Sequence, residues 1–164
     1  MIGVLYHPNL SLDSVLHQIE KKLGEIDYQG PAVLFNHSLY YEKEMGNNLK
    51  KKFISIQKLW PADQLYATKL LTGEIEQFLS INHQRQVNLD PGGLSLHNLM
   101  LLSTKNFSHR IPLQKGIYAE LSLLYQENEW KKLPWSYPDF NDITHLTVLS
   151  EIRTLYKKQI QTLL

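Results

Sequence analysis

A chain of 164 residues, 43% hydrophobic and 20% charged, is long enough for one domain with its own core and too apolar for wholesale disorder. It has no cysteine, which excludes a disulfide scaffold, a thiol nucleophile and a thiolate metal site, and suits a reducing cytoplasm. Its 17 Lys and Arg against 16 Asp and Glu leave a net charge of +1, so no global field draws it to nucleic acid or to an anionic membrane.

Met1 to Tyr6 reads as a strand and lacks the basic start and long apolar run of a signal peptide. No apolar stretch approaches the ~20 residues that span a bilayer. Ser11 is a helix cap, and Leu12, Val15, Leu16, Ile19 and Leu23 recur at helical spacing before Gly24 stops the helix. Pro31 opens a second strand, Ala32 to Phe35. Tyr40 to Gly46 reads as a turn or short helix, and Phe53, Ile54 and Ile56 as a third strand. The preceding Lys50-Lys51-Lys52 reads as a solvated face. Pro61 suits the first turn of a helix whose apolar side is Leu65, Leu70, Leu71, Ile75, Phe78 and Leu79.

The second half turns to strands. Val87 to Leu89 precedes Asp90-Pro91-Gly92-Gly93, a strong turn signal. Leu99 to Ser103 suits a buried strand. Ile111-Pro112-Leu113 suits an edge, because proline cannot donate to a ladder. Ile117, Ala119, Leu121, Leu123 and Tyr125 alternate with Tyr118, Glu120, Ser122 and Leu124, which predicts a strand with the first set facing the core. A hairpin follows at Gln126 to Glu129, then an aromatic loop from Pro134 to Phe140. A last helix begins near Asp142. The order predicts a single α+β domain: a mainly antiparallel sheet with helices packed on it. Its start is a ferredoxin-like βαββαβ unit, extended by C-terminal hairpins and a terminal helix.

Several stretches also carry a family resemblance. They are Tyr40-Tyr41-Glu42-Lys43-Glu44-Met45-Gly46, Leu49 with Phe53, and Val87 to Gly92. They continue with Ser103-Thr104-Lys105, His109-Arg110-Ile111, Gly116 to Glu120 and Trp135 to Asp139. On these, the region from about 40 to 140 resembles an uncharacterised prokaryotic family, number 4416 in the domain-of-unknown-function series. The resemblance implies no established activity. Where that family reads Phe-Asp-Phe-Thr-Asp-Tyr-Tyr, this chain has Asn36 and Leu39 in place of the two acids. Gly93 stands for a usual aromatic and Phe140 for a usual tyrosine.

The residues best suited to chemistry are Asn88, Asp90, Lys105, His109, Arg110, Tyr118 and Glu120. Arg110 can grip a carboxylate or phosphate through two parallel hydrogen bonds, and Lys105 adds a point charge. His109 can exchange a proton near neutral pH, with Glu120 as its acid–base partner. Asn88, Asp90 and Tyr118 would complete the walls of a ligand site. The competing reading is structural: a turn-forming Asp90 and an Arg110–Glu120 ion pair across strands.

Other signals are thinner. His145-Leu146-Thr147 matches one half of a two-histidine phosphoesterase pattern, with no second half. No tight metal-ligand spacing occurs, no cofactor is indicated, and Gly92-Gly93 is not a phosphate loop. The expectation is therefore a cytoplasmic domain that binds a small anionic molecule, with acid–base chemistry by His109 and Glu120. The alternative is a non-enzymatic assembly module, a homodimer or other homo-oligomer, using the aromatic loop and the edge near Pro112. Nucleic-acid binding is disfavoured by the near-neutral charge.

Overall fold

The computed structural model describes residues 1–37 and 40–163. Strand β1 (Ile2–Tyr6) is buried along its whole length, as a central strand covered on both faces must be. Helix α1 (Leu12–Leu23) starts where the Ser11 hydroxyl accepts the Ser14 N–H at 3.4 Å, and it buries Val15, Ile19 and Leu23, spaced four apart. It ends at Gly24, whose φ of 116° is costly for any residue with a Cβ.

Strands β2 (Ile26–Gln29) and β3 (Val33–Leu34) follow, then the short helix α2 (Glu42–Met45) and strand β4 (Lys50–Ile56). A 3-10 turn at Ala62–Gln64 leads into helix α3 (Leu65–Phe78), and strand β5 (Val87–Leu94) comes next. The strands of this half lie in the order β2-β4-β1-β5, every neighbouring pair antiparallel. β1 and β2 are therefore parallel, joined by α1 with β4 between them, which is the split βαβ arrangement. Helices α1 and α3 cover one face over Val4, Ile54, Val87 and Leu89.

The sheet continues through β6 (Asn98–Ser103), β8 (Tyr118–Gln126) and the edge strand β7 (Ile111–Pro112), with β9 (Glu129–Lys132) also paired to β8. Helix α4 (Ile143–Gln161) is capped by Asp142, whose carboxylate accepts the Thr144 N–H at 2.8 Å. It packs Val148, Leu149 and Ile152 with Phe53, Leu99, Leu123 and Phe140 on the other face. The architecture is α+β, one largely antiparallel sheet between helices. No helix among the described residues is long and apolar enough to cross a membrane.

Four details depart from the sequence reading. The expected second strand, Ala32 to Phe35, shrinks to β3, and an additional strand, β2, precedes it; both are laid on β4. β2 alternates half-buried Ile26 and Tyr28 with exposed Asp27 and Gln29, a pattern too polar to stand out. The lysine run is not a solvated face: Lys51 and Lys52 are only 8% exposed. Lys51 Nζ lies 2.5 Å from the Asp139 carboxylate, and Lys52 Nζ donates to Gln29 at 2.9 Å. Asp90 to Gly93 is not a turn but the middle of β5. Finally, the alternation in β8 breaks. Leu123 pairs Leu99 while Leu121 pairs Met100, so Ser122 is an extra residue and a bulge. Leu123 then joins the core under α4, whereas Ala119 joins Leu102 and Ile117 in a separate cluster packed against α3.

Candidate functional site: a cavity where the sheet forks

Strand β5 serves two partners. Val87 to Pro91 pair with β1, and Gly92 to Leu94 pair with β6. The Gly92 N–H donates to the Met1 carbonyl at 2.9 Å, and the Met1 amino group donates back to the Gly92 carbonyl at 3.0 Å. By alternation, the backbone groups of Asp90 and Asn88 also face β1, whereas those of Pro91 and Leu89 face away from it. Pro91 has no N–H to offer β6. The next outward pair is taken by α3: Glu76 Oε1 accepts the Leu89 N–H at 2.6 Å, and Lys69 Nζ donates to the Leu89 carbonyl at 2.7 Å. The ladder between β5 and β6 stops there and the strands part.

A cavity of about 190 Å³ opens in the fork. On the β5 side, Arg85 holds the Glu44 carboxylate through Nε at 2.9 Å and Nη2 at 2.6 Å, and its Nη1 donates to Asn88 Oδ1 at 3.0 Å. Asn88 Nδ2 donates to Asp90 Oδ2 at 2.9 Å. The second Asp90 oxygen and the second Glu76 oxygen stand 3.8 Å from Lys69 Nζ and Arg85 Nη1, beyond hydrogen-bond distance. On the β6–β8 side, Arg110 ties the wall together. Its Nε donates to Glu120 at 2.8 Å, its Nη1 to the Ser103 hydroxyl and the Lys105 carbonyl at 2.9 Å each, and its Nη2 to the Tyr137 hydroxyl at 3.0 Å. Lys105 Nζ donates to the Tyr40 hydroxyl at 2.9 Å.

The structure thus brings Asn88, Asp90, Lys105, Arg110 and Glu120 to one cavity. The sequence reading had Glu120 lining a cleft from the face opposite the core; it does line the cavity but is 2% exposed, held between Arg110 and His109. His109 lies behind it: Nε2 is 3.0 Å from the same Glu120 oxygen, and the ring stacks on Trp135 at 5.1 Å. With the carboxylate accepting, Nε2 carries the proton, so His109 meets the cavity only through Glu120. Tyr118 is not part of the wall. It pairs with Ser103 and Pro112 along the edge of the sheet. Asn36 is exposed and also outside the wall, and Leu39 lies outside the described residues.

Three residues of α3 and Arg85 also line the cavity and were not singled out from sequence. Lys69, Gly73 and Glu76 recur at i, i+4 and i+7 on one face of α3, and that spacing was the available signal. Arg85 follows a loop with no pattern of its own. Electrostatics follow from the packing. Burial pushes the carboxyl of Glu76 up, while the Arg85 guanidinium holds Glu44 down. Burial, with Asp90 and Tyr137 nearby, keeps Tyr41 protonated well above its ordinary range. Burial and Glu120 do the same for Tyr137, whereas the Lys105 hydrogen bond lowers Tyr40. Among the described residues, no three His, Asp or Glu side chains gather as a metal-ligating group.

A family model for a domain of unknown function (DUF4416) matches residues 1–156. The chain belongs to that family. The match extends the resemblance seen from 40 to 140 over almost the whole chain, so the residues of the fork, α3 and most of α4 lie within it. No curated protein and no solved structure matches the chain. A larger cavity of about 320 Å³, mostly apolar, lies toward the Met1 end of the sheet between the start of α3 and the second half of α4. The smaller one holds the convergent charged groups, so it is the better candidate for chemistry.

Proposed function

We propose that this protein binds a small anionic molecule in the cavity at the sheet fork, and that Glu120 exchanges a proton with it. The observation that supports this is convergence: Lys105 and Arg110 from one loop, with Tyr41 and Tyr137 from two other segments, present donors at one cavity. Arg110 is fixed by four hydrogen bonds, so its charge is held in place before a ligand arrives. His109 acts as a positioning residue that orients Glu120 and passes a proton to it. The lack of cysteine suits the cytoplasm as the setting for this reading.

The test is a thermal-shift screen of carboxylic acids, sugar phosphates and nucleotides against wild type, Lys105→Ala and Tyr137→Phe. Neither substitution leaves a buried charge unpaired. A compound that stabilises wild type and loses that effect in both variants supports the site. Equal stabilisation of all three proteins, or none of any, overturns it.

One observation favours a second reading. Phe107, Ile111, Leu113, Leu121 and Trp135 are all exposed near the edge strand β7, and Trp135 Nε1 is anchored on the Leu121 carbonyl at 2.8 Å. Such a patch suits an assembly module or homodimer. Sedimentation of wild type and Ile111→Lys decides it: a dimer that dissociates in the variant supports assembly, and a monomer in both removes it.

A further inference from the structure

The walls of the cavity at the fork differ in sign once their internal pairs are counted. On the β6–β8 side the lone acid, Glu120, is already matched by Arg110 and His109. What remains there is donors. Lys105 has spent one of its three protons on Tyr40, and Tyr137 accepts from Arg110 while keeping its own hydroxyl proton. The Tyr41 hydroxyl, beside them, makes no hydrogen bond among the described residues and stays protonated.

The β5–α3 side is the reverse. Its two cations face three carboxylates: Arg85 is held by Glu44 and Asn88, and Lys69, which gives one proton to the Leu89 carbonyl, stands against Glu76 and Asp90 together. What remains is one oxygen of Asp90 and one of Glu76, each 3.8 Å from Lys69 or Arg85 and with no hydrogen bond of its own among the described residues. A plain anion would satisfy the first wall and leave these two oxygens facing it. At about 190 Å³ the space is below the roughly 300–1,000 Å³ of drug-sized sites, so one small molecule must answer both walls.

We infer that the ligand is amphoteric, with an anionic group against Lys105, Tyr41 and Tyr137 and a hydrogen-bond-donating ammonium against Asp90 and Glu76. This rests on the anion-site reading above and narrows it. The anion end accepts either a carboxylate or a phosphate, since both offer planar or tetrahedral oxygens to the same donors.

Two matched series separate the claims by calorimetric titration. In the phosphate series the probes are ethyl phosphate, phosphoethanolamine and phosphocholine. In the carboxylate series they are propionate and β-alanine. Phosphoethanolamine or β-alanine is expected to bind about tenfold or more tightly than its amine-free partner, as a charge-assisted hydrogen bond implies. Phosphocholine keeps the positive charge without an N–H donor and is expected to fall behind phosphoethanolamine. In Asp90→Asn, which still accepts from Asn88, the advantage of the amine is expected to shrink severalfold, while ethyl phosphate or propionate, freed of one repelling carboxylate, binds at least as tightly as to wild type. Equal binding of amine-bearing and amine-free probes overturns the amphoteric assignment and leaves the anion site standing. No binding by either series overturns both. Should Asp90→Asn fail to fold, the wild-type series alone decides.

Discussion

At the scale of single residues, the wall of the cavity carries tensions that stability measurements can read. Gly73 sits inside α3, where glycine costs up to ~1 kcal/mol relative to alanine, and a Cβ there would meet nothing within 4 Å. No packing contact accounts for it, but it borders the cavity. Gly73→Ala is therefore expected to raise stability by roughly 0.5–1 kcal/mol in urea titration while weakening binding of any ligand at the fork. A variant that gains stability and binds unchanged would mean the ligand does not approach α3. Glu76 has the opposite tension. Burial raises its folded pKa above the unfolded value of 4.5. The folded state thus holds a proton that the unfolded state has released, and stability falls as pH rises from about 4.5 through the folded pKa. Glu76→Gln keeps an acceptor for the Leu89 N–H and removes this slope. The melting temperature of the variant relative to wild type is expected to climb between pH 4.5 and 7; a flat or falling difference would refute that account.

At the scale of elements, β5 decides where the cavity lies. Gly92 lets β6 approach closely: a Cβ there would stand 2.6 Å from the Met100 carbonyl oxygen, a backbone atom that cannot swing aside. At Gly93 the clash, at 2.7 Å, is with the end of the flexible Leu65 side chain. Gly92→Ala is expected to cost about 1–3 kcal/mol and Gly93→Ala less, by the same urea titration. Equal costs would mean that β6 shifts freely. This strand also shows why the site was only half legible. Pro-Gly-Gly is good turn chemistry locally, and it marks the right place. It gives a break in pairing instead because β1 holds Asp90 and Gly92 extended. Charged residue types near the expected strand ends pointed to Lys105, Arg110 and Asp90. Lys69, Glu76 and Arg85 stayed hidden because only the docking of α3 on the open strand edge gives them a role. The bulge at Ser122 has no sequence marker, and it is what turns Glu120 and Leu123 to the same side despite their odd spacing.

At the scale of the whole molecule, β5 belongs to both halves of the sheet, and the two large cores lie on the sheet's opposite faces rather than one in each half: beneath α4, Phe53 of β4 packs with Leu99 of β6 and Leu123 of β8. A strand shared in this way ties the two cores together, so we expect one cooperative unfolding transition for the chain. Trp60 reports on the packing beside α1 and α3, and Trp130 on the core under α4. Fluorescence of single-tryptophan variants and far-ultraviolet circular dichroism should give coincident urea midpoints. Separated midpoints would show two units joined by a strand rather than one domain.

Within β5, Val87 and Leu89 anchor the core while Asn88 and Asp90 face the cavity. Inserting or deleting a single amino acid upstream of Pro91 would trade those roles, exposing aliphatic side chains and burying amide and acid. Evolution can therefore exchange letters along this stretch but cannot easily change its length, and any relative with a different count here should have lost both the hydrophobic anchor and the binding function at one stroke.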